Sequence, residues 1–374
     1  MIPCTKIFKG ERTEHNHRKM GPLFVWNVIS QCNLRCGHCY RDSASGVVEQ
    51  GLSDDKCLSL VREIAFVNPP ILLLTGGEPL LRKNIFSIIA ACKAVGLRVG
   101  LSTNGTLIDR AMAEKIAQAG VNYVGVSIDG DEDSHDKFRG FSGAYGASWE
   151  GLKHLNSLGV KTGVRFTLTA ANSHELLNVL HKTVQSGIQR FCLYHLVYAG
   201  RASAGLDLSV AAKRECMARF LKRVKELSKS HPDLEVLTTD NPADGIFMAR
   251  YSNNEDAILS CISSHGGCSA GDRVVYLDST GDVYPCQFLR NHSLGNVKES
   301  SLDHIWKNLE NEFLSQLRNK KSFLEGKCGT CSHGEICGGC RARALAYHGS
   351  FWAEDPACYL EQSEIEKNVL SVHA

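Results

Sequence analysis

The chain has 374 residues, 43% of them apolar, and a formal net charge of +2. That size supports two domains or one large α/β domain with an addition, and the near-neutral charge excludes an overall electrostatic case for nucleic acid or membrane as a partner. No apolar run approaches a membrane span and the opening residues hold no hydrophobic signal region, so a cytoplasmic, thiol-reducing setting is expected.

In chain order, residues 1–20 read as a polar N-terminal extension, rich in His and Lys/Arg and expected to be mobile or lid-like. Its segment HNHRK, His15 to Lys19, reads as a solvated basic stretch. Residues 21–235 then alternate strand and helix. The runs LFVWNVIS, ILLLTG, RVGLSTN, YVGVSID, VRFTLT and RFCLYHLVY are short and β-rich, as buried parallel strands are. Helices are expected after them at 54–66, 85–95, 109–119, 148–158, 173–186 and 210–229. Gly96, Gly120, Gly159 and Gly187 stand where left-handed caps belong. Six strand–helix units predict an α/β fold, a partial (β/α)6 TIM-like barrel, with reactive residues just past the C-terminal ends of the strands. Past 235 the alternation stops. Residues 236–374 are loop-rich, with hairpin pieces such as RVVYLDSTGDVYPC, and read as a small domain that needs staples.

Sixteen cysteines are many for a reducing compartment, and metal or cluster ligation is the leading explanation. Cys4, Cys57, Cys92, Cys192 and Cys216 are scattered and read as small buried hydrophobes. Cys32, Cys36 and Cys39 lie in the loop CNLRCGHCY after the first strand. Three thiols at that spacing can hold three corners of a four-iron cluster and leave one iron open for a substrate or cofactor. Zinc, with His38 as a fourth ligand, is the alternative. Eight more thiols, Cys261, Cys268, Cys286, Cys328, Cys331, Cys337, Cys340 and Cys358, fall in the C-terminal region. They suffice for two fully ligated four-iron clusters or for two four-cysteine zinc sites.

With these motifs in order, the chain resembles the radical S-adenosylmethionine (SAM) superfamily over nearly its whole length. CxxxCxxC follows the first strand, GGEPL (Gly76 to Leu80) the second, STNG (Ser102 to Gly105) the third and SIDG (Ser127 to Gly130) the fourth; HDKFRG (His135 to Gly140) comes next. The resemblance implies that Cys32, Cys36 and Cys39 hold a catalytic [4Fe-4S] cluster whose open iron binds SAM. Glu78 would pair with the SAM ammonium, with Gly76 and Gly77 allowing close approach. Ser102, Asn104, Ser127 and Asp129 would supply polar contacts, and Arg139 would meet the SAM carboxylate. His38 would pack near adenine, with Arg165 and Thr167 in the adenine region. The C-terminal cysteines resemble the SPASM domain, which binds auxiliary iron–sulfur clusters. By that analogy Cys261, Cys268, Cys286 and Cys340 hold one [4Fe-4S] cluster, and Cys328, Cys331, Cys337 and Cys358 hold a second. CISSHGGC leaves open that Cys261 is free and its cluster three-coordinate.

Two further stretches, LYHLVYAGR (Leu193 to Arg201) and WAEDPACYLEQSEI (Trp352 to Ile365), look like the tetrapyrrole branch of that family. The branch acts in haem d1 biosynthesis and, as didecarboxysiroheme deacetylase, in the alternative haem route. What this implies is an enzyme, oxidoreductase or lyase in type. Reductive cleavage of SAM would give a 5′-deoxyadenosyl radical that removes or modifies side chains, propionates first, of didecarboxysiroheme. An electron donor such as ferredoxin or flavodoxin would serve it. Tyr194, His195, Tyr198 and Arg201 would contact the substrate, although Tyr194 and Tyr198 read equally as core residues. A SPASM peptide maturase acting on a precursor peptide is the alternative.

Overall fold

The short apolar runs form strands because leucine, valine and aromatic side chains can be buried on a pleated surface covered by helices. The protein is described from a computed structural model that covers residues 1–11, 21–44, 46, 51–249, 258, 259, 262 and 267–366. Each of the six expected strands is present. In chain order the strands are β1 (Ile2–Pro3), β2 (Leu23–Asn27), β3 (Leu72–Thr75), β4 (Val99–Thr103), β5 (Tyr123–Ser127), β6 (Thr162–Leu168), β7 (Arg190–His195) and β8 (Glu235–Thr239), then β9 (Val274–Leu277), β10 (Asp282–Tyr284) and β11 (Gly295–Asn296). The helices are α1 (Cys4–Phe8), α2 (Asp54–Val67), α3 (Ile85–Ala94), α4 (Arg110–Gln118), α5 (Glu132–Arg139), α6 (Ala144–Ser157), α7 (Leu176–Gln185), α8 (Val210–Ser230) and α9 (Ala243–Ala249), with shorter helices beyond.

All strands join one sheet in the order β1-β8-β7-β6-β5-β4-β3-β2-β9-β10-β11. Strands β2 to β8 pair parallel in sequence, and β8 does not return to β2, so the barrel is open. Along each strand alternate residues point out to the helices. Phe24, Trp26, Leu72, Leu74, Leu101, Val124, Val126, Val164, Phe166, Phe191 and Leu193 are buried there in one continuous core. Each such side chain contributes about 1.5–3 kcal/mol by leaving water. Helices α2, α4, α5 and α8 start on side-chain caps: Ser53, Asp109, Asp131 and Ser209 each accept a first-turn backbone N–H. Gly96, Gly120, Gly159 and Gly187 all take positive φ just past a helix, as expected. Among the described residues no helix is long and apolar enough to cross a membrane.

Three boundaries differ from the sequence reading. Residues 2–8 are not a polar extension: Ile2 and Pro3 pair antiparallel with Thr238 and Leu237, and α1 packs on α8 with Ile2, Cys4 and Ile7 buried. The apolar Ile2, Cys4 and Ile7 outweigh the polar composition around them. The segment His15–Lys19 lies outside the described residues. The barrel runs past residue 235, because β8 is a seventh parallel strand paired with β7. The cysteine-rich part is not set apart either, since β9 pairs parallel with β2 and continues the same sheet. Its hairpin turns where expected: Asp278 accepts the backbone N–H groups of Thr280, Gly281 and Asp282.

Candidate active site

The C-terminal ends of β2 to β8 open on one cavity of about 820 Å³. Cys32, Cys36 and Cys39 line it from the loop after β2, and Cys268, Cys286 and Cys340 line it from the C-terminal region. The second expected set, Cys328, Cys331, Cys337 and Cys358, surrounds its own smaller cavity. All described cysteines are free thiols, and Cys261 lies outside the described residues.

The sulfur environments fit cluster ligation. A ligand sulfur bears negative charge and is stabilised by N–H donors. Cys32 Sγ accepts from Leu34 N–H at 3.4 Å, and the same two-residue pattern recurs at Cys286 with Phe288 and at Cys331 with His333, each at 3.4 Å. Arg139 Nη1 reaches Cys36 Sγ at 3.6 Å, and Asn104 Nδ2 reaches Cys32 Sγ at 3.9 Å. Cys328 Sγ receives Asp355 N–H at 3.4 Å and Arg341 Nη2 at 3.7 Å. Burial pushes the Cys32 and Cys340 thiols up to about 12 and Cys358 up to about 11. The bare thiols are therefore protonated at neutral pH, and ligation has to displace those protons.

The loops that carry the motifs brace one another. Gly76 and Gly77 lie so close to the chain after β2 that a Cβ would meet Ile29 O at 2.6 Å and Gln31 O at 2.2 Å. Gly77 N–H and Glu78 N–H donate to those same carbonyls at 2.7 and 2.9 Å. Both glycines line the cavity, but Glu78 does not. Its side chain is fully buried, with Oε1 accepting from Thr103 Oγ1 at 2.8 Å and Leu80 N–H at 3.1 Å, and Oε2 accepting from Asn104 N–H at 2.9 Å. In this arrangement the carboxylate ties GGEPL to STNG, and the Gly76–Gly77 backbone faces the cavity. Burial pushes its carboxyl up to about 7 against those three hydrogen bonds.

Asp129 is likewise buried and off the cavity; it accepts Thr167 N–H at 2.7 Å and pairs with Arg139. Arg139 lines the cavity, so its guanidinium is shared between Asp129, Cys36 Sγ and the open space. Ser102, Asn104, Ser127, Arg165 and Thr167 all line the cavity. His38 does too, stacked flat on Phe138 with ring centroids 4.1 Å apart. Its Nδ1 is buried without a partner, and burial, then Arg139 and Arg201, hold it well below the usual imidazole range. Neutral and planar, it forms a wall suited to a flat heteroaromatic ring.

The expected substrate residues divide. Tyr194 lines the cavity. Tyr198 does not: its hydroxyl donates to Asp207 at 2.9 Å, and Asp207 also holds buried Lys213 at 2.7 Å. His195 touches the cavity wall but is fixed by Asp244 at 2.8 Å, which in turn accepts from Tyr359 at 2.7 Å. Arg201 is committed as well. Its Nε, Nη1 and Nη2 donate to Cys36 O, Asp42 Oδ1 and Ser43 O at 2.8, 2.6 and 2.9 Å. It clamps the cysteine loop while also lining the cavity.

Sequence reasoning missed Arg341, Arg343 and Asp355. Arg343 grips Asp355 through two hydrogen bonds of 2.9 Å, both side chains fully buried, and its Nη1 reaches Leu196 O past β7. Asp355 accepts Cys340 N–H at 2.7 Å and gives its own N–H to Cys328, so it links the two cysteine sets. The available signal was position: Arg341 directly follows Cys340, and Asp355 stands three residues before Cys358.

A barrel whose cysteine loop, glycine loop and polar strand ends meet in one cavity defines a class. A model of the radical SAM superfamily matches residues 26–182, and one of an iron–sulfur cluster-binding (SPASM) domain matches 268–332. The chain belongs to the radical SAM family. It is a radical SAM enzyme that uses a four-iron cluster and SAM, with auxiliary iron–sulfur clusters in its SPASM domain. Among its relatives, Fe-coproporphyrin III synthase of Methanosarcina barkeri is 38% identical over 92% of this chain and 89% of its own. Pre-heme d1 synthase of Dinoroseobacter shibae is 36% identical over 92% of this chain and 87% of its own. In fold it resembles Streptococcus suis SuiB bound to precursor peptide SuiA, with a TM-score of 0.73 and 18% identity over 91% of this chain and 76% of that one.

Proposed function

We propose that this enzyme removes carboxylate-bearing side chains from an iron tetrapyrrole by radical chemistry. The observation that carries the reading is the near-full-length identity to Fe-coproporphyrin III synthase and pre-heme d1 synthase. The cavity suits such a substrate: it runs through the barrel with a volume of about 820 Å³, walled in part by Tyr40, Tyr194 and Phe288, with Arg139 and Arg165 on its surface. When bound, a four-iron cluster with an open iron supplies the electron that splits SAM and starts carbon-centred radical chemistry.

The chain's own residues position and exclude. Cys32, Cys36 and Cys39 present three ligands from a loop closed by Arg201. Ser102, Asn104, Ser127, Arg139 and the Gly76–Gly77 backbone offer polar contacts to SAM, and the His38–Phe138 stack offers a flat wall for its adenine. Asp129 and Glu78 hold that shell rigid from behind. Cys268, Cys286 and Cys340, which line the cavity, would hold an auxiliary cluster. Cys328, Cys331, Cys337 and Cys358, which surround the smaller cavity, would hold a second. A small iron–sulfur or flavin protein serves as electron donor.

The test is anaerobic turnover of didecarboxysiroheme with SAM and a reductant, read by mass spectrometry. Loss of acetate or propionate side chains together with 5′-deoxyadenosine supports the reading, and the mass lost tells which side chain is attacked. Absence of any product, together with SAM cleavage coupled to a precursor peptide, replaces it with the peptide reading.

A further inference from the structure

The interior of this barrel is not packed like a closed one. Inward positions on β5 and β6 carry Gly125 and Gly163, directly paired across the two strands. A Cβ at Gly125 would meet Arg165 Cδ at 2.7 Å, and one at Gly163 would meet the Tyr123 hydroxyl at 2.5 Å. The glycines thus make room for Arg165 and Tyr123 to lie across the interior. Arg165 stacks on the Tyr194 ring, its guanidinium 4.6 Å from the centroid, and one Nη donates to Ser102.

What sets Arg165 apart is its lack of an anion. Other arginines around the cavity have one: Arg139 has Asp129, Arg190 has Glu235 and Arg201 has Asp42. Among the described residues no carboxylate lies within ion-pairing distance of Arg165. Asp129, the carboxylate at the end of the neighbouring strand, is taken by Arg139 and Thr167 N–H. A guanidinium inside a cavity walled by tyrosines and lacking a counter-ion is costly unless a ligand brings the anion. Its fork geometry selects a carboxylate or a phosphate. Thr167, which carries a hydroxyl, lines the same cavity and can complete the oxygen's hydrogen bonds.

We infer that Arg165 is the receptor for a substrate carboxylate. It anchors one acid side chain of the tetrapyrrole inside the barrel and thereby selects which neighbouring side chain faces the loop of Cys32, Cys36 and Cys39. The inference rests on the tetrapyrrole reading for its substrate and on the unpaired cation for its site.

The experiment compares wild-type and Arg165→Gln holoenzyme, reconstituted anaerobically, with three probes: iron coproporphyrin III, its methyl ester, and propionate. Wild type should bind the acid about ten- to a hundredfold tighter than the ester, the range for a charge-assisted contact, and Arg165→Gln should erase that preference. Propionate should raise the wild-type Tm saturably and leave the variant unmoved. If Arg165→Gln does not fold, Arg165→Lys carries the test, with the acid-to-ester preference reduced several-fold. If neither tetrapyrrole form binds wild type but propionate still stabilises it through Arg165, the site stands and the tetrapyrrole reading fails. An unchanged acid-to-ester preference, or a tenfold loss of SAM affinity with tetrapyrrole binding intact, overturns the inference; the latter makes Arg165 a cofactor residue.

Discussion

Arg201→Ala isolates the role of the cysteine-loop clamp. The substitution removes three hydrogen bonds that cross from the segment after β7 to residues 36–43. Two run from a cation to backbone carbonyls, and contacts of that kind contribute about 1.5–3 kcal/mol each. The third, to Asp42, adds about 0–1 kcal/mol because Asp42 is 67% exposed and the pair is screened. Arg201 N–H still donates to Cys39 O, so one link across the gap survives. A loss of about 3 kcal/mol from the closed loop lowers its population relative to open forms by roughly a hundredfold. The expected result is a variant that folds, keeps its auxiliary clusters and loses iron and SAM binding at the barrel site. Iron content per chain, the electron paramagnetic resonance of the reduced cluster with and without SAM, and SAM affinity read this out. Arg201→Lys should fall between, since a lysine can keep one carbonyl contact. Full iron content and normal SAM cleavage, with only tetrapyrrole binding lost, would refute the clamp and restore Arg201 as a substrate residue.

Replacing Cys32, Cys36 and Cys39 together by Ala should remove about four of roughly twelve irons per reconstituted chain, the complement of three four-iron clusters; stoichiometric zinc in the wild type would sink the cluster assignment. Glu78 gives a pH signature: burial raises its folded carboxyl from 4.5 to about 7, so its contribution to stability is complete below about 4.5 and is lost as pH rises through about 7. Urea unfolding between pH 5 and 8 should show that slope in wild type and a flatter one in Glu78→Gln; parallel slopes would speak against it. Asp355→Asn leaves the buried Arg343 guanidinium without its counter-charge and should cost about 3–5 kcal/mol, seen as a large fall in Tm, whereas a shift of a degree or two would mean the pair is not buried as described.

The sequence alone determined six of the strands, six of the helices and where the cysteine motifs fall, because these depend on local patterns. Apolar runs of the right length, caps such as Ser53 and Asp109, and CxxxCxxC after the first strand each declare themselves within a few residues. The order of motifs at strand ends was legible for the same reason, since a parallel barrel puts every strand's C-terminal end on one face. Roles that depend on partners distant in the chain were not legible. That Glu78 takes Thr103 and Asn104 N–H on its oxygens is one such fact. That the Arg201 guanidinium reaches residues 36–43 is another. Tertiary structure also decided what Ile2 and Cys4 do, because an edge strand exists only once β8 offers it a partner. A charged side chain in water can take many partners. Which one it keeps is settled by which groups the fold brings within 3 Å and seals from solvent, and that is a property of packing across the whole barrel.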